Sequence, residues 1–280
     1  MPSVKTKAKA RILVIVPFPL DKAGVALRRR QLKAVKLSPD TEVEFRPVKA
    51  GSTSFTSDYD WWLMDGGCFE AGLNAEEEGF DAVVVDSTAD SGVPALRAVL
   101  NIPVIGPGLA SQHYALMLGA RFGVLTMNAG GIHNHWSWVR LRGLEPFCAA
   151  VEAALGKTGT NVANLLTGKE DEMFPLLRDA GLRAIAKGAE VLVLGSTTLH
   201  QAGEWLAQNL PVPVVNPGPL SYKMAEAAIS LRHAHSRAGH PAPPATGRKD
   251  GMIHAMLEAA AAWEKKNPAP AAGKKTKTKR

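Results

Sequence analysis

Short runs of apolar, largely β-branched residues punctuate this chain, and each closes on glycine, proline or a small polar residue. Six of them form three matched pairs. RILVIVP begins at residue 11 and RFGVLTM at 121, DAVVVDST at 81 and EVLVLGST at 190, IPVIGPG at 102 and VPVVNPG at 212. The separations are 110, 109 and 110 residues. Apolar runs without polar alternation are the pattern of strands buried on both faces, as in a parallel sheet. A period this long exceeds that of solenoid repeats, so it reads as a duplicated α/β half.

Helical spacing fills the intervals. It predicts helices over 25–37, 92–100 and 109–119 in the first half, and over 171–188, 199–209 and 219–233 in the second. Strand followed by helix, repeated with short connections, implies βαβ units with right-handed crossovers. The predicted fold is α/β, with two pseudo-symmetric lobes. Each is a mostly parallel sheet flanked by helices, and the active site lies in the cleft between them. The expected organisation is a basic N-terminal tail over 1–10, a first lobe over 11–119 and a second over 120–238. A linker and C-terminal helix follow over 239–266, then a disordered basic tail over 267–280.

In parallel α/β sheets, ligands bind beyond the carboxyl ends of the strands. The duplication brings matched groups there. The first lobe offers Pro17, Phe18, Asp86, Ser87 and Thr88; the second offers Asn128, Gly195, Ser196 and Thr197. Two Ser-Thr pairs facing one cleft suit a planar carboxylate or cyclic amide, helped by backbone N–H groups at the helix starts. The alternative is that these hydroxyls only cap helices.

Charge changes the picture little. The net charge is +7, but 265–280 holds seven Lys/Arg and no acid, and 1–10 holds three lysines and no acid. The remaining residues carry −3, so the basicity belongs to the tails and does not mark a nucleic-acid surface. No apolar run reaches membrane-spanning length. The first apolar stretch ends at Pro17 without a cleavage signal, so it reads as a strand. Two cysteines give neither a disulfide framework nor a metal pattern. A cytoplasmic protein without cofactor, membrane or nucleic-acid partner is expected, and a homo-oligomer.

The segments RILVIVP, DAVVVDSTADSGV, IPVIGPGLASQHYALMLGARFGVLT, GAEVLVLGSTTL and VPVVNPGPLSYKMAEAAI resemble the aspartate/glutamate racemase superfamily, most of all its hydantoin-racemase branch. The resemblance spans nearly all of 11–233. It implies the two-lobed fold, and two cysteines, one per lobe, acting as opposed acid and base. The resemblance puts those positions at Ser87 and Ser196. A thiol of ordinary pKa about 8.5 is readily tuned to a thiolate; a serine hydroxyl needs a neighbouring base. The two-thiol reaction therefore does not carry over. Cys148, on a helical pattern, and Cys68, at an expected helix start, read as packing residues.

Other groups are candidates for proton transfer. Asp86 is a general base or an exposed turn carboxylate. Asp90 matches a residue often seen in the branch, or is an N-cap. His200 falls in the first turn of a helix beginning near Thr198. His133 and His135 would need a third ligand to hold a metal, and no motif supplies one, so no metal is expected. Phe18, Tyr59, Trp61, Trp62, Trp136 and Trp138 are expected in loops after strand ends, where they would meet an aromatic or planar substrate, or cover an edge or interface. The catalytic candidates are Ser87, Ser196, Asp86 and His200; the substrate-binding candidates are Pro17, Phe18, Thr88, Asn128, Thr197 and Tyr59. The leading function is a non-thiol isomerase or lyase, including decarboxylation, acting on a small carboxylate or cyclic amide. A hydrolase using Ser87 or Ser196 as nucleophile and a non-catalytic binding protein are the alternatives.

Overall fold

The computed structural model describes residues 9–52, 55, 57–156 and 170–268. The basic stretches at 1–8 and 269–280 lie outside the described residues, so most of both expected tails does too.

The described residues form two four-stranded, all-parallel sheets of identical topology. In the first, β2 (Thr41–Pro47), β1 (Ala10–Val16), β3 (Ala82–Val85) and β4 (Val104–Ile105) lie side by side in that order. The second has β6 (Cys148–Leu155), β5 (Phe122–Asn128), β7 (Val191–Leu194) and β8 (Val214–Val215) in the equivalent order. Even the central registers match. Ile12 sits opposite Ala82 through Ile15 opposite Val85, and Phe122 opposite Val191 through Leu125 opposite Leu194. Strand order reverses between β1 and β3, and again between β5 and β7. These reversals are the points where crossovers diverge and leave a crevice.

The helices are α1 (Lys22–Arg29), α2 (Asp58–Gly72), α3 (Val93–Val99), α4 (Pro107–Ala115), α5 (Gly130–Leu141), α6 (Phe174–Ala186), α7 (Ala202–Asn209), α8 (Pro217–Leu231) and α9 (Asp250–Lys266). Proline opens α4 and α8 at the first position, where its missing N–H costs nothing and its φ is already helical.

The two halves exchange their closing helices. One face of the first sheet, with Leu13, Ile15, Val83 and Val85, packs into a core with Cys68, Ala71 and Leu96 of α2 and α3. The other face, with Ile12, Val14, Ala82 and Val84, is covered by Tyr222 and Ala225 of α8, which belongs to the second half. Reciprocally, Ala115 of α4 packs with Phe122, Val124, Val191 and Val193 of the second sheet. Helices α4 and α8 also pack against each other. The boundary expected at 119/120 separates the two strand sets in sequence, while these helices cross it in space.

Several local expectations need correction. Cys148 does not sit on a helix: it opens β6, whose CAAVEAAL pairs in parallel with β5. The helical propensity of that alanine-rich run yields to the ladder and to burial of Cys148, Ala150 and Val151. Cys68 lies inside α2, not at its start. The helix expected over 199–209 begins with a 3-10 turn over Thr197–Leu199, and α7 follows only at Ala202. The aromatics expected in loops, apart from Phe18, stand on helices: Tyr59, Trp61 and Trp62 on α2, Trp136 and Trp138 on α5.

Candidate active site

Each central strand extends its ladder by one residue before turning. Asp86 N–H donates to Ile15 O at 2.7 Å and Gly195 N–H to Leu125 O at 2.7 Å. The next residue in each half is the serine. Ala89 N–H donates to Ser87 Oγ at 3.3 Å, and Thr198 N–H to Ser196 Oγ at 3.2 Å. Both hydroxyl oxygens thus accept from the backbone two residues on, the local turn that serine favours. Both hydroxyl protons stay unspent within the described residues.

The threonines that follow join the two halves. Thr88 Oγ1 donates to Gly195 O at 2.7 Å, and Thr197 Oγ1 donates to Asp86 O at 3.0 Å. Each threonine, one residue past its serine, therefore bonds the carbonyl one residue before the other serine. This reciprocal pair brings the Ser87 and Ser196 turns together at one point between the sheets. It also spends both threonine protons. Neither Thr88 nor Thr197 has a donor left for a ligand unless the clasp opens.

Asp86 is 1% exposed; the exposed-turn reading is corrected. Arg28 Nε donates to its Oδ2 at 2.8 Å and Arg28 Nη2 to the same oxygen at 2.5 Å, while Gln31 Nε2 reaches Oδ1 and Oδ2 at 3.2 and 3.1 Å. Arg28 also crosses to the second half, donating to Thr197 Oγ1 at 2.9 Å and Thr198 Oγ1 at 3.3 Å. Both oxygens of this carboxylate are thus engaged, and its partner cation is itself buried.

Asp90 adopts φ +59° and accepts from Gly108 N–H at 2.7 Å and Leu109 N–H at 2.8 Å, capping the start of α4 across the loop. Arg142 reaches it at 2.7 Å and also donates to Thr88 O at 2.9 Å. Burial pushes the Asp90 carboxyl up, against the pull of Arg142 and the two N–H groups. The N-cap reading of Asp90 is the one its hydrogen bonds support, though the helix capped is α4.

His135 and His200 are neutral near pH 7. Burial, aided by nearby Arg28, lowers His200 to about 4. Burial and Arg142 lower His135 to about 3. His135 fills the space beside Gly195: a Cβ there would lie 2.7 Å from His135 Nε2 and 2.8 Å from Leu125 O. That is why the second half carries glycine where the first carries Asp86.

The remaining expected residues separate into two groups. Pro17 is buried at the end of β1 and Phe18 half-buried beside it. Asn128 Oδ1 accepts from Gly131 N–H at 3.2 Å at the start of α5. Tyr59, by contrast, is 72% exposed on α2. A series of rings spans the two halves: Phe18–Phe55, Phe55–Trp61, Trp61–Trp138 and Trp138–His135, with centroids 5.8, 6.3, 4.9 and 4.9 Å apart. One end lies near Arg28, whose Cζ is 6.0 Å from the Phe18 ring, and the other beside Gly195. Cys68 and Cys148 are both buried. Cys148 opens its strand, at the end opposite the serines, and burial raises its thiol to about 12; burial raises Cys68 as well.

Sequence reasoning missed Arg28, Gln31 and Arg142. Arg28 belongs to a run of three arginines, and nothing in RRRQL tells which one turns inward.

Two duplicated parallel α/β lobes, with matched strand-end turns meeting between the sheets, define the class of two-lobed racemase-like proteins. The model of the Asp/Glu/hydantoin racemase family matches residues 26–225, and the chain belongs to that family. It is 30% identical over 194 residues to the hydantoin racemase of Pseudomonas sp. (strain NS671), covering 69% of this chain and 76% of that one. It superposes on the allantoin racemase from Klebsiella pneumoniae with a TM-score of 0.76 at 28% identity, over 85% of this chain and 94% of that one. It shares the fold of arylmalonate decarboxylase, with a TM-score of 0.54 at 16% identity, over 78% and 92% of the two chains. No helix among the described residues is long and apolar enough to cross a membrane.

Proposed function

We propose that this protein is an isomerase or lyase acting through an enolate-like intermediate of a small carboxylate or cyclic amide, with Ser87 and Ser196 as the paired hydroxyls that hold the developing negative oxygen. The observation that carries the reading is the reciprocal threonine clasp. It brings two serine turns together, each with its oxygen fixed by a backbone N–H and its proton free to donate. Donors oriented before charge develops are the arrangement that stabilises an oxyanion.

The absence of a thiol at either position selects among reactions. Racemisation needs a base matched to a carbon acid, and a serine hydroxyl does not supply one near neutral pH. Loss of carbon dioxide needs none. The bonding electron pair stays on the carbon as the enolate, the serine hydroxyls hold its oxygen, and a proton from water completes the product. Decarboxylation of a geminal dicarboxylate is therefore the reaction this pair suits best. Isomerisation would require His200, neutral with its pKa near 4, or Asp86 to move the proton. The ring series from Phe18 to His135 favours an aryl or flat cyclic substituent on the reacting carbon. The hydrolase reading lacks its base, since no described side chain accepts either serine proton.

The test is a panel of geminal dicarboxylates, hydantoins and amino acids in deuterated water, read by NMR for deuterium at the α-carbon and by carbon dioxide release. At least one aryl-substituted dicarboxylate should release carbon dioxide and gain one deuterium. Ser87→Ala and Ser196→Ala should each lower kcat about 10²- to 10³-fold without a covalent adduct. Compounds that raise the melting temperature yet neither exchange nor decarboxylate would make this a binding protein.

A further inference from the structure

We propose that Arg28 and Arg142 are reciprocal positioning residues, each sent from the first helix of its own half to hold the serine turn of the other half, and that Asp86 is the buried counter-ion of Arg28. The proposal rests on the reading of Ser87 and Ser196 as the working pair.

The two arginines occupy comparable places. Arg28 lies in the last turn of α1, the helix after β1, and Arg142 directly follows α5, the helix after β5. Both are largely buried, with side chains 2% and 9% exposed. Each crosses between halves. Arg28 donates to the hydroxyls of Thr197 and Thr198, the two residues after Ser196. Arg142 donates to the carbonyl of Thr88, one residue after Ser87, and to Asp90, three residues after it.

The donor count explains why an arginine is used. The hydroxyl of Thr197 gives its proton to Asp86 O, so only its lone pairs face Arg28. A flat fork with N–H groups on three nitrogens can then reach the Asp86 carboxylate, Thr197 and Thr198 at once. The result is a closed circuit: guanidinium to Thr197, Thr197 to the Asp86 carbonyl, Asp86 carboxylate back to guanidinium. It joins the residue before one serine to the residues after the other. Buried ion pairs contribute little net stability against apolar replacements but fix geometry well. On the other side, Arg142 neutralises Asp90 while Asp90 holds the start of α4, so the Ser87 turn is tied to a helix that packs on the second sheet.

The experiment reads the serine-to-serine geometry directly, without a substrate. Ser87→Cys with Ser196→Cys introduces two thiols, and a short bifunctional thiol cross-linker, dibromobimane, fluoresces when it joins them. The native thiols of Cys68 and Cys148 are buried, and a protein lacking the two substitutions is the blank. Cross-linking should be fast in this variant. Adding Arg28→Lys or Arg142→Lys, which keep the charge and lose the fork, should each slow it at least fivefold in protein that remains folded by circular dichroism. Thr197→Val should slow it similarly, and Thr197→Ser, which keeps the hydroxyl, should restore the rate. Should either arginine variant fail to fold, the Thr197 pair alone decides the Arg28 tie, and Asp90→Asn against Asp90→Ala decides the Arg142 tie. Unchanged cross-linking in the folded lysine variants, or in Thr197→Val, would overturn the positioning role. No cross-linking even with both arginines intact would instead overturn the facing-serine reading, and the proposal with it.

Discussion

Compare the two strand ends that meet in the cleft. Val85-Asp86-Ser87-Thr88 and Leu194-Gly195-Ser196-Thr197 share register, ladder extension, serine turn and threonine clasp. Beyond the conservative Val85/Leu194 pair, they differ at the residue before each serine. The first half carries a buried carboxylate, and answers it with Arg28 and Gln31. The second carries glycine, because His135 and the Leu125 carbonyl occupy the space a side chain would need. Duplication thus preserved the backbone and its hydrogen bonds, while the residue before each serine diverged, to a charged side chain in one half and to none in the other. A ligand between them meets two like donors set in unlike surroundings, which gives a pseudo-symmetric site a direction.

Breaking the charged half should have the largest effect. Asp86→Ala leaves the Arg28 guanidinium buried without a counter-ion and should cost about 3–5 kcal/mol in chemical denaturation. A loss under about 1 kcal/mol would mean that water or a neighbour replaces the carboxylate. The equivalent probe of the other half is Gly195→Ala. Its new Cβ presses on a carbonyl that cannot yield, and it should cost about 1–3 kcal/mol; relief by a second change, His135→Ala, should be partial, because Leu125 O remains.

The clasp sharpens the comparison, since here the halves are alike. Thr88→Val and Thr197→Val each leave a carbonyl without its donor and should cost about 1–2 kcal/mol each. Thr197→Val should cost the more, because it also loses the bond from Arg28; equal losses would show that this bond adds nothing.

The smallest expected effect is that of mild acid. His135 and His200 have folded pKa values of about 3 and about 4, below the ordinary 6.5. Protons therefore bind the unfolded chain first. Stability is full above about pH 6.5 and falls as the pH drops from there toward 4, by about 0.7 kcal/mol per histidine between pH 7 and 6. His200→Gln should flatten its share of that slope. Unchanged slopes in melting against pH would show that the imidazole is hydrated.

Much of the architecture was legible because burial on both faces writes itself into every residue of a central strand. ILVIV, AVVV and VLVL admit no polar position, and their repetition announced two equal sheets. Two of the edge strands, β2 and β6, were not legible. In TEVEFRP charged residues alternate with apolar ones, and CAAVEAAL reads as a helix, because an edge strand packs on fewer sides and its pattern is weaker. In the site, the serines, the threonines and Asp86 stood out because they close recognisable strands. Arg28 and Arg142 did not, since a charged residue on a helix normally faces water and its partner here is distant in sequence.

By itself, then, the sequence determined the strands, their duplication and which polar residues arrive at the strand ends, since those follow from local periodicity and from where an apolar run stops. Only the tertiary structure decided that α8 covers the first sheet and α4 packs on the second, that each threonine donates across the cleft, and that one arginine of three turns inward. The physical reason is that these contacts are set by the crossing of the two halves. Hydrogen bonds 107 to 170 residues apart in the chain, and ion pairs 58 and 52 residues apart, leave no local trace, and buried donors choose their acceptors only after the sheets have packed.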